Sequence, residues 1–226
     1  RSSQDGAIPL REDGHGNSAN RYEYKYGITL NTLGQRFYDE GENKHSYTYA
    51  KTGRAVLAQP GALAYQFFDQ KTLKLFRQGN YAGATQFEAN TIEELAKLCG
   101  LNPTVVAKTV KDYNAACRKD VPFDPGVLDG RCTEGITPKK SNWSIELDSP
   151  PYRAYPVTCG VTFTFGGVKI NTKAQVMGVS GKPIRGLYAS GDVVGLFFHN
   201  YAGNSGQTRN VVFSRVAGRE AAARNG

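Results

Sequence analysis

The stretch from Gly186 to Arg219, GLYASGDVVGLFFHNYAGNSGQTRNVVFSRVAGR, gathers the residues best suited to chemistry. Leu187, Tyr188 and Ala189 run apolar into Ser190 and Gly191, and Asp192 follows where a strand would end and a carboxylate could meet a bound hydroxyl. Gly203, Asn204, Ser205 and Gly206 then precede a pattern that puts Val211, Val212, Val216 and Ala217 on one helical face. A helix starting near Ser205 offers unpaired N–H groups and the positive end of its dipole, which predicts a site for an electron-rich group. Beside this turn, the imidazole of His199 could bind a carboxylate or relay a proton. Tyr201 is either a substrate contact or a packed aromatic with a buried hydroxyl. His45, beside Lys44, is a weaker candidate, and His15 falls in a polar start.

These groups need elements to hold them. Residues 1–20 are polar and glycine-rich and read as a loop. Tyr24, Tyr26, Ile28 and Leu30 alternate as a half-buried strand, Asn31 to Gly34 supplies a turn, and Arg36 to Tyr38 reads as the hairpin partner. Tyr47 to Leu57 reads as helical and Ala64 to Phe68 as a further strand. Thr91 and Glu94 form a capping-box pair for a helix that Gly100 stops. Asn102 and Pro103 start the next, whose Val106, Val110, Tyr113 and Cys117 make a core stripe. Lys139, Lys140, Asn142 and Trp143 form a polar cluster with reach towards a site. Thr162 and Thr164 alternate with Phe163 and Phe165 on a strand leading into Gly166 and Gly167, where missing side chains permit close approach of a ligand. Turn-rich sequence from Pro122 to Pro138 and the run DSPPYRAYP place a domain junction near Ser149.

Composition narrows the classes. The 226 residues, 39% apolar with 26 glycines, suit one or two globular domains of α/β or α+β type. With a mean hydropathy of -0.48 and no apolar run near about 18 residues, a membrane span is not expected. Cys99, Cys117, Cys132 and Cys159 show neither C-x-x-C spacing nor a histidine at metal-ligand spacing, so they read as free thiols and no metal is expected. The formal charge of +8 favours anionic partners, but the basic residues are spread without a block, so a small anionic substrate is expected in preference to nucleic acid. No signal-peptide pattern is visible, and the cytoplasm is the expected compartment.

The run FTFGGVKINT at Phe163 to Thr172, then GKPIRGLYASGD and the glycine turn before a final helix, resembles the C-terminal end of the fumarate reductase and succinate dehydrogenase flavoprotein family. It looks most like the tricarballylate dehydrogenase type, and the likeness extends through GQRFYDEG at Gly34 to Gly41 and the helical pair between Thr91 and Lys119. The resemblance implies FAD as cofactor, with Gly166, Gly167, Ser190, Gly191, Asp192 and the turn Gly203, Asn204, Ser205 and Gly206 around it. Asp192 would hold the ribityl chain, and the turn would face the pyrimidine edge of the flavin. It also implies an α+β capping domain (1–149) joined to an incomplete α/β FAD-binding domain (150–226). The G-x-G-x-x-G fingerprint that opens such domains is absent, so the rest of the flavin site is expected from an N-terminal half outside this sequence.

The family chemistry is hydride exchange between flavin N5 and carbon beside a carboxylate-activated or carbonyl-activated bond. Three family positions, for a proton-carrying arginine, a carboxylate-binding histidine and a second carboxylate-binding arginine, fall on Lys44, Phe163 and Tyr201, which counts against fumarate itself. Lys44, His199 and Tyr201 are therefore the catalytic candidates, with Thr164, Tyr201 and Arg36 as substrate contacts, Arg36 having a structural alternative as the partner of Glu40. Tyrosine at position 201, before a small residue and glycine, also resembles the 3-ketosteroid dehydrogenase branch, where it polarises a carbonyl or assists proton removal. Three functions stay open: oxidoreduction of a small polycarboxylate, oxidoreduction of a larger ketone, or a truncated chain without flavin.

Overall fold

Four β-rich runs distant in sequence pair into one antiparallel sheet: β1 (Ile28–Asn31), β2 (Leu63–Phe68), β3 (Phe87–Ala89) and β4 (Tyr152–Thr158), in the order β1-β2-β4-β3. The structure, a computed structural model, describes residues 21–77, 81, 84–160, 165–197, 201 and 203–224. The chain divides into two units, Arg1–Gly160 and Val161–Gly226.

In the first unit, alternation along β2 sends Phe67 to one face and Ala64 to the other. The Phe67 face packs with Ile28 and Leu30 of β1 against α3 (Ile92–Leu98) and α4 (Pro103–Ala116), burying Leu95, Val106, Val110 and Tyr113. The Ala64 face, with Val157 opposite it on β4, receives Val56 of α1 (His45–Leu57). The helix signals fall where the sequence put them. Thr91 accepts from the Glu94 N–H at 3.2 Å, Asn102 accepts from the N–H groups of Thr104 and Val105, and Gly100 takes φ +70°. A short helix, α2 (Gln70–Leu73), is capped by the Asp69 carboxylate.

Three expectations need correction. Glu23–Tyr26 is a 3-10 turn and only Ile28–Asn31 is strand; the tyrosines alternate in sequence but are buried all round, with the Tyr24 hydroxyl 2.8 Å from Thr48 Oγ1. Arg36 to Tyr38 makes a single bridge, Leu30 to Arg36, after the tight turn Asn31 to Gly34, and the full ladder of β1 is with β2 over Ile28 to Asn31. The first unit also runs on to Gly160, past Ser149, since β4 pairs with β2 from Arg153 to Thr158.

The second unit contains an antiparallel pair, β5 (Gln175–Met177) and β6 (Pro183–Tyr188), and the long helix α5 (Ser205–Ala223). A parallel bridge joins Val168 to Val194. Its apolar residues are widely open to solvent: Leu187 on β6, Val193 and Leu196 in the loop, and Val211 on α5, the last 71% exposed.

One buried ion pair secures the first unit. Arg36 donates from Nε (3.1 Å) and Nη2 (2.5 Å) to the Glu40 carboxylate, which also accepts from the Thr29 N–H at 2.8 Å, while Arg36 Nη1 bonds the Pro138 carbonyl at 2.8 Å. Replacing Arg36 by Met leaves Glu40 buried without its counter-charge, so urea unfolding of Arg36→Met is expected to show a loss of about 3–5 kcal/mol. A loss under about 1 kcal/mol would mean that the pair is only an exposed-type contact.

Candidate functional site

In the second unit, Ser190, Gly191 and Asp192 follow directly on β6, and the glycine turn opens α5 at Ser205, as the residue pattern predicts. Two loops lie backbone to backbone here: the Val168 N–H bonds Val193 O at 2.8 Å, and the Gly195 N–H bonds Val168 O at 3.1 Å. A Cβ on Gly167 would sit 2.2 Å from Val193 O, so that glycine serves contact with its own chain. Gly166 (φ +83°) and Gly191 (φ +82°) have nothing within 4 Å of a would-be Cβ, and these two leave open space of the kind a cofactor needs.

Arg209, on the first turns of α5, holds this loop and was not foreseen. Its guanidinium ion-pairs with Asp192, donates to Val194 O at 3.2 Å and lies 5.0 Å from the Phe197 ring, with its side chain 5% exposed. The available signal was a lone arginine one turn into a helix that starts beside an aspartate. The Asp192 side chain is itself 61% exposed, so one oxygen meets Arg209 while the carboxylate faces solvent. Ser190 Oγ lies 2.9 Å from Ser214 Oγ on α5.

At the helix start, Asn204 takes the left-handed conformation (φ 70°, ψ −11°) and gives no side-chain cap. The cap comes from Tyr201, whose hydroxyl accepts from the Gly206 N–H at 2.9 Å, while its ring meets Phe197 edge-on at 5.2 Å. A Cβ on Gly206 would lie 2.6 Å from that hydroxyl. Gly203 and Ser205 are half-buried at the same turn. His199, Phe163 and Thr164 lie outside the described residues.

In the first unit, Lys44 is the exposed N-cap of α1, and its carbonyl accepts from the Tyr47 N–H at 2.9 Å. His45 stacks on Tyr22 with ring centroids 5.1 Å apart. Burial, then the charges of Arg77 and Lys25, push the His45 pKa from 6.5 down to about 4. Arg36 has its guanidinium engaged by Glu40 and Pro138, the structural role the sequence offered for it, although it also edges a cleft of about 430 Å³ with Thr109, Asp112 and Tyr113. Lys140, Asn142 and Trp143 point into the fold: Lys140 Nζ bonds Gly27 O at 2.6 Å, Asn142 Nδ2 bonds Gly41 O at 2.8 Å, and the indole N–H bonds Asp124 O at 2.9 Å. Burial lowers the Lys140 pKa to about 8.

Residues 10–208 match the profile of a family described as FAD binding domain. The chain belongs to that family. It is 34% identical over 201 residues to a probable fumarate reductase of Shewanella frigidimarina, covering 86% of this chain and 31% of the relative. Among solved structures it is similar to the open conformation of a flavocytochrome c3 fumarate reductase (TM-score 0.66, 29% identity, 98% of this chain and 36% of that one). It is also similar to 3-ketosteroid delta1-dehydrogenase from Sterolibacterium denitrificans (TM-score 0.65, 26% identity, 96% and 42%). The chain spans about a third of the length of the curated relatives it matches. FAD, the cofactor expected from the sequence, is the cofactor of this family, and the relatives are oxidoreductases by name. These names are fumarate reductases; the tricarballylate likeness rests on sequence motifs alone. Among the described residues, no helix is long and apolar enough to cross a membrane.

Two outcomes follow from the geometry. Arg209→Met should speed amide exchange across residues 191–197 about tenfold, on the order of 1.4 kcal/mol, and leave α3 and α4 protected; unchanged exchange there would remove Arg209 from its clamping role. NMR titration should put the His45 midpoint near 4. Because the folded imidazole refuses a proton that the unfolded one accepts, its contribution to stability is intact above about pH 6.5, declines as pH falls, and levels off near pH 4.

Proposed function

We propose that this chain supplies the substrate lid and part of the flavin site of an FAD-dependent oxidoreductase acting on a small polycarboxylate of the tricarballylate type. The family match over residues 10–208 carries the flavin part of this reading, and the substrate part rests on the sequence motifs. On this reading, the first unit makes up the cap and the second the C-terminal part of the flavin domain, with an N-terminal half supplying the rest. The apolar residues open to solvent around β6 and α5 support such a partner segment.

When bound, FAD supplies the hydride acceptor or donor. Gly166, Ser190, Gly191, Asp192 and the turn Gly203 to Gly206 would hold it, with Gly167 shaping the loop through its contact with Val193. The open positions at Gly166 and Gly191 and the solvent-facing Asp192 carboxylate fit that task. The α5 N-terminus favours negative charge at the turn, and the Tyr201 hydroxyl fixes the Gly206 N–H there. By the family resemblance Lys44 falls at the position of the proton carrier, and its exposed side chain supports that role. His199 and Thr164 complete the set as proton relay and substrate contact, and Arg36 holds the lid that presents Lys44. A larger ketone substrate is the second reading, favoured by Tyr201 and the likeness to the ketosteroid enzyme.

Visible spectra after FAD incubation and removal of free cofactor test the cofactor half, with the N-terminal segment supplied. A structured, red-shifted flavin band weakened at least about tenfold in Asp192→Ala is expected; equal retention by both proteins would sink the role of Asp192. Turnover with tricarballylate but not with a 3-ketosteroid is the outcome expected for the substrate.

A further inference from the structure

From the end of β6 onward, every second residue is tied to α5. The Tyr188 hydroxyl donates to Glu220 O at 3.2 Å, Ser190 Oγ lies 2.9 Å from Ser214 Oγ, and Asp192 and the Val194 carbonyl both meet Arg209. Tyr188 and Ser190 share a side because alternate residues of an extended chain do. At Gly191 (φ +82°) the chain turns, and Arg209 reaches both Asp192 and Val194 beyond the turn.

The ion pair in this series is lopsided. The Asp192 side chain is largely exposed and, by itself, would be free to turn, whereas that of Arg209 is buried. Each nitrogen of the guanidinium donates: Nη2 to Asp192, Nη1 to Val194 O at 3.2 Å, and Nε to Asn210 Oδ1 at 3.2 Å, with the Phe197 ring 5.0 Å away. Arginine suits this place because its planar fork serves several partners in fixed directions. A buried cation without a counter-charge is strongly destabilising, and among the described residues Asp192 is the carboxylate that pairs with this one. The burial of the arginine, more than any packing around the aspartate, therefore decides where the carboxylate sits.

We propose that Arg209 is a positioning residue for the flavin: it holds one oxygen of Asp192 and leaves the other to accept a hydroxyl of the ribityl chain. This rests on the flavin reading above, in which Asp192 meets that chain. A carboxylate already held gives up little side-chain freedom when the hydroxyl arrives, so its bond adds more to affinity than that of an aspartate free to turn. In this role Arg209 acts through Asp192 alone, which separates it from a residue that only keeps the loop in shape.

FAD titration of the chain with its N-terminal segment supplied, followed by quenching of flavin fluorescence, tests this through a double-mutant cycle. Arg209→Met, which keeps an apolar stem against Phe197, and Asp192→Ala should each weaken binding about tenfold. The double variant should bind no more weakly than either alone, since without the carboxylate the arginine has nothing to position. Arg219→Gln, at an exposed position of α5, should bind as the wild type does. Wild-type affinity in a folded Arg209→Met overturns the role and leaves the flavin reading standing. So do losses that multiply to about a hundredfold in the double variant, the mark of a residue that only shapes the loop. If Arg209→Met does not fold, Arg209→Gln takes its place in the cycle under the same criteria. A wild-type chain that takes up no flavin overturns both the flavin reading and the role built on it.

Discussion

A carboxylate buried without water must find donors, and Glu40, 1% exposed, sets the terms for the first unit. Its donors come from β1, through the Thr29 N–H, and from Arg36, whose other nitrogen reaches Pro138. The flanking residues repeat the attachment: Asp39 accepts from the Ser141 backbone and hydroxyl, and Gly41 lies so close to Asn142 that a Cβ would fall 2.1 Å from its carbonyl oxygen. Residues 36–41 are therefore pinned to 138–142, and α1 begins five residues beyond Glu40. Where Lys44 and His45 stand is decided by this anchorage more than by the helix that carries them.

The second unit solves the opposite problem, that of keeping a loop shaped around open space. Gly166 and Gly191 leave room, while the loop behind them is secured by backbone pairing at Val168 and by Arg209 reaching back from α5. The Tyr201 hydroxyl takes the Gly206 N–H in the first turn of the helix, so the turn is ordered in part by the protein's own side chain. Using one arginine for Asp192, Val194 and the Phe197 face makes the loop depend on the helix.

Local signals were legible because their causes are local. Asn102 before Pro103, Thr91 three residues before Glu94, and the stripe of Val106, Val110 and Tyr113 each fix their element through neighbours a turn away. What could not be read depends on distant partners. The alternation of Tyr24 to Leu30 imitates a strand, yet contacts from α1 bury the tyrosines in a 3-10 turn. β4 belongs to the first unit because β2, about 90 residues earlier, and β3 pair with its two edges. At the site, the glycine turn and Asp192 were visible from their order along the chain, while the part played by Arg209 was not, since it meets Asp192 and Val194 only once α5 lies against the loop.

The buried indole of Trp143 has an optical side. Trp143 is the chain's single tryptophan, it is fully buried, and its indole N–H is tied to Asp124. Its π-system faces the Lys25 ammonium 4.9 Å away, so the indole emission comes from one dry, rigid place next to one charge. The protein carries its own dye at that spot, and any change in the charge above the ring shifts the colour of the light it returns.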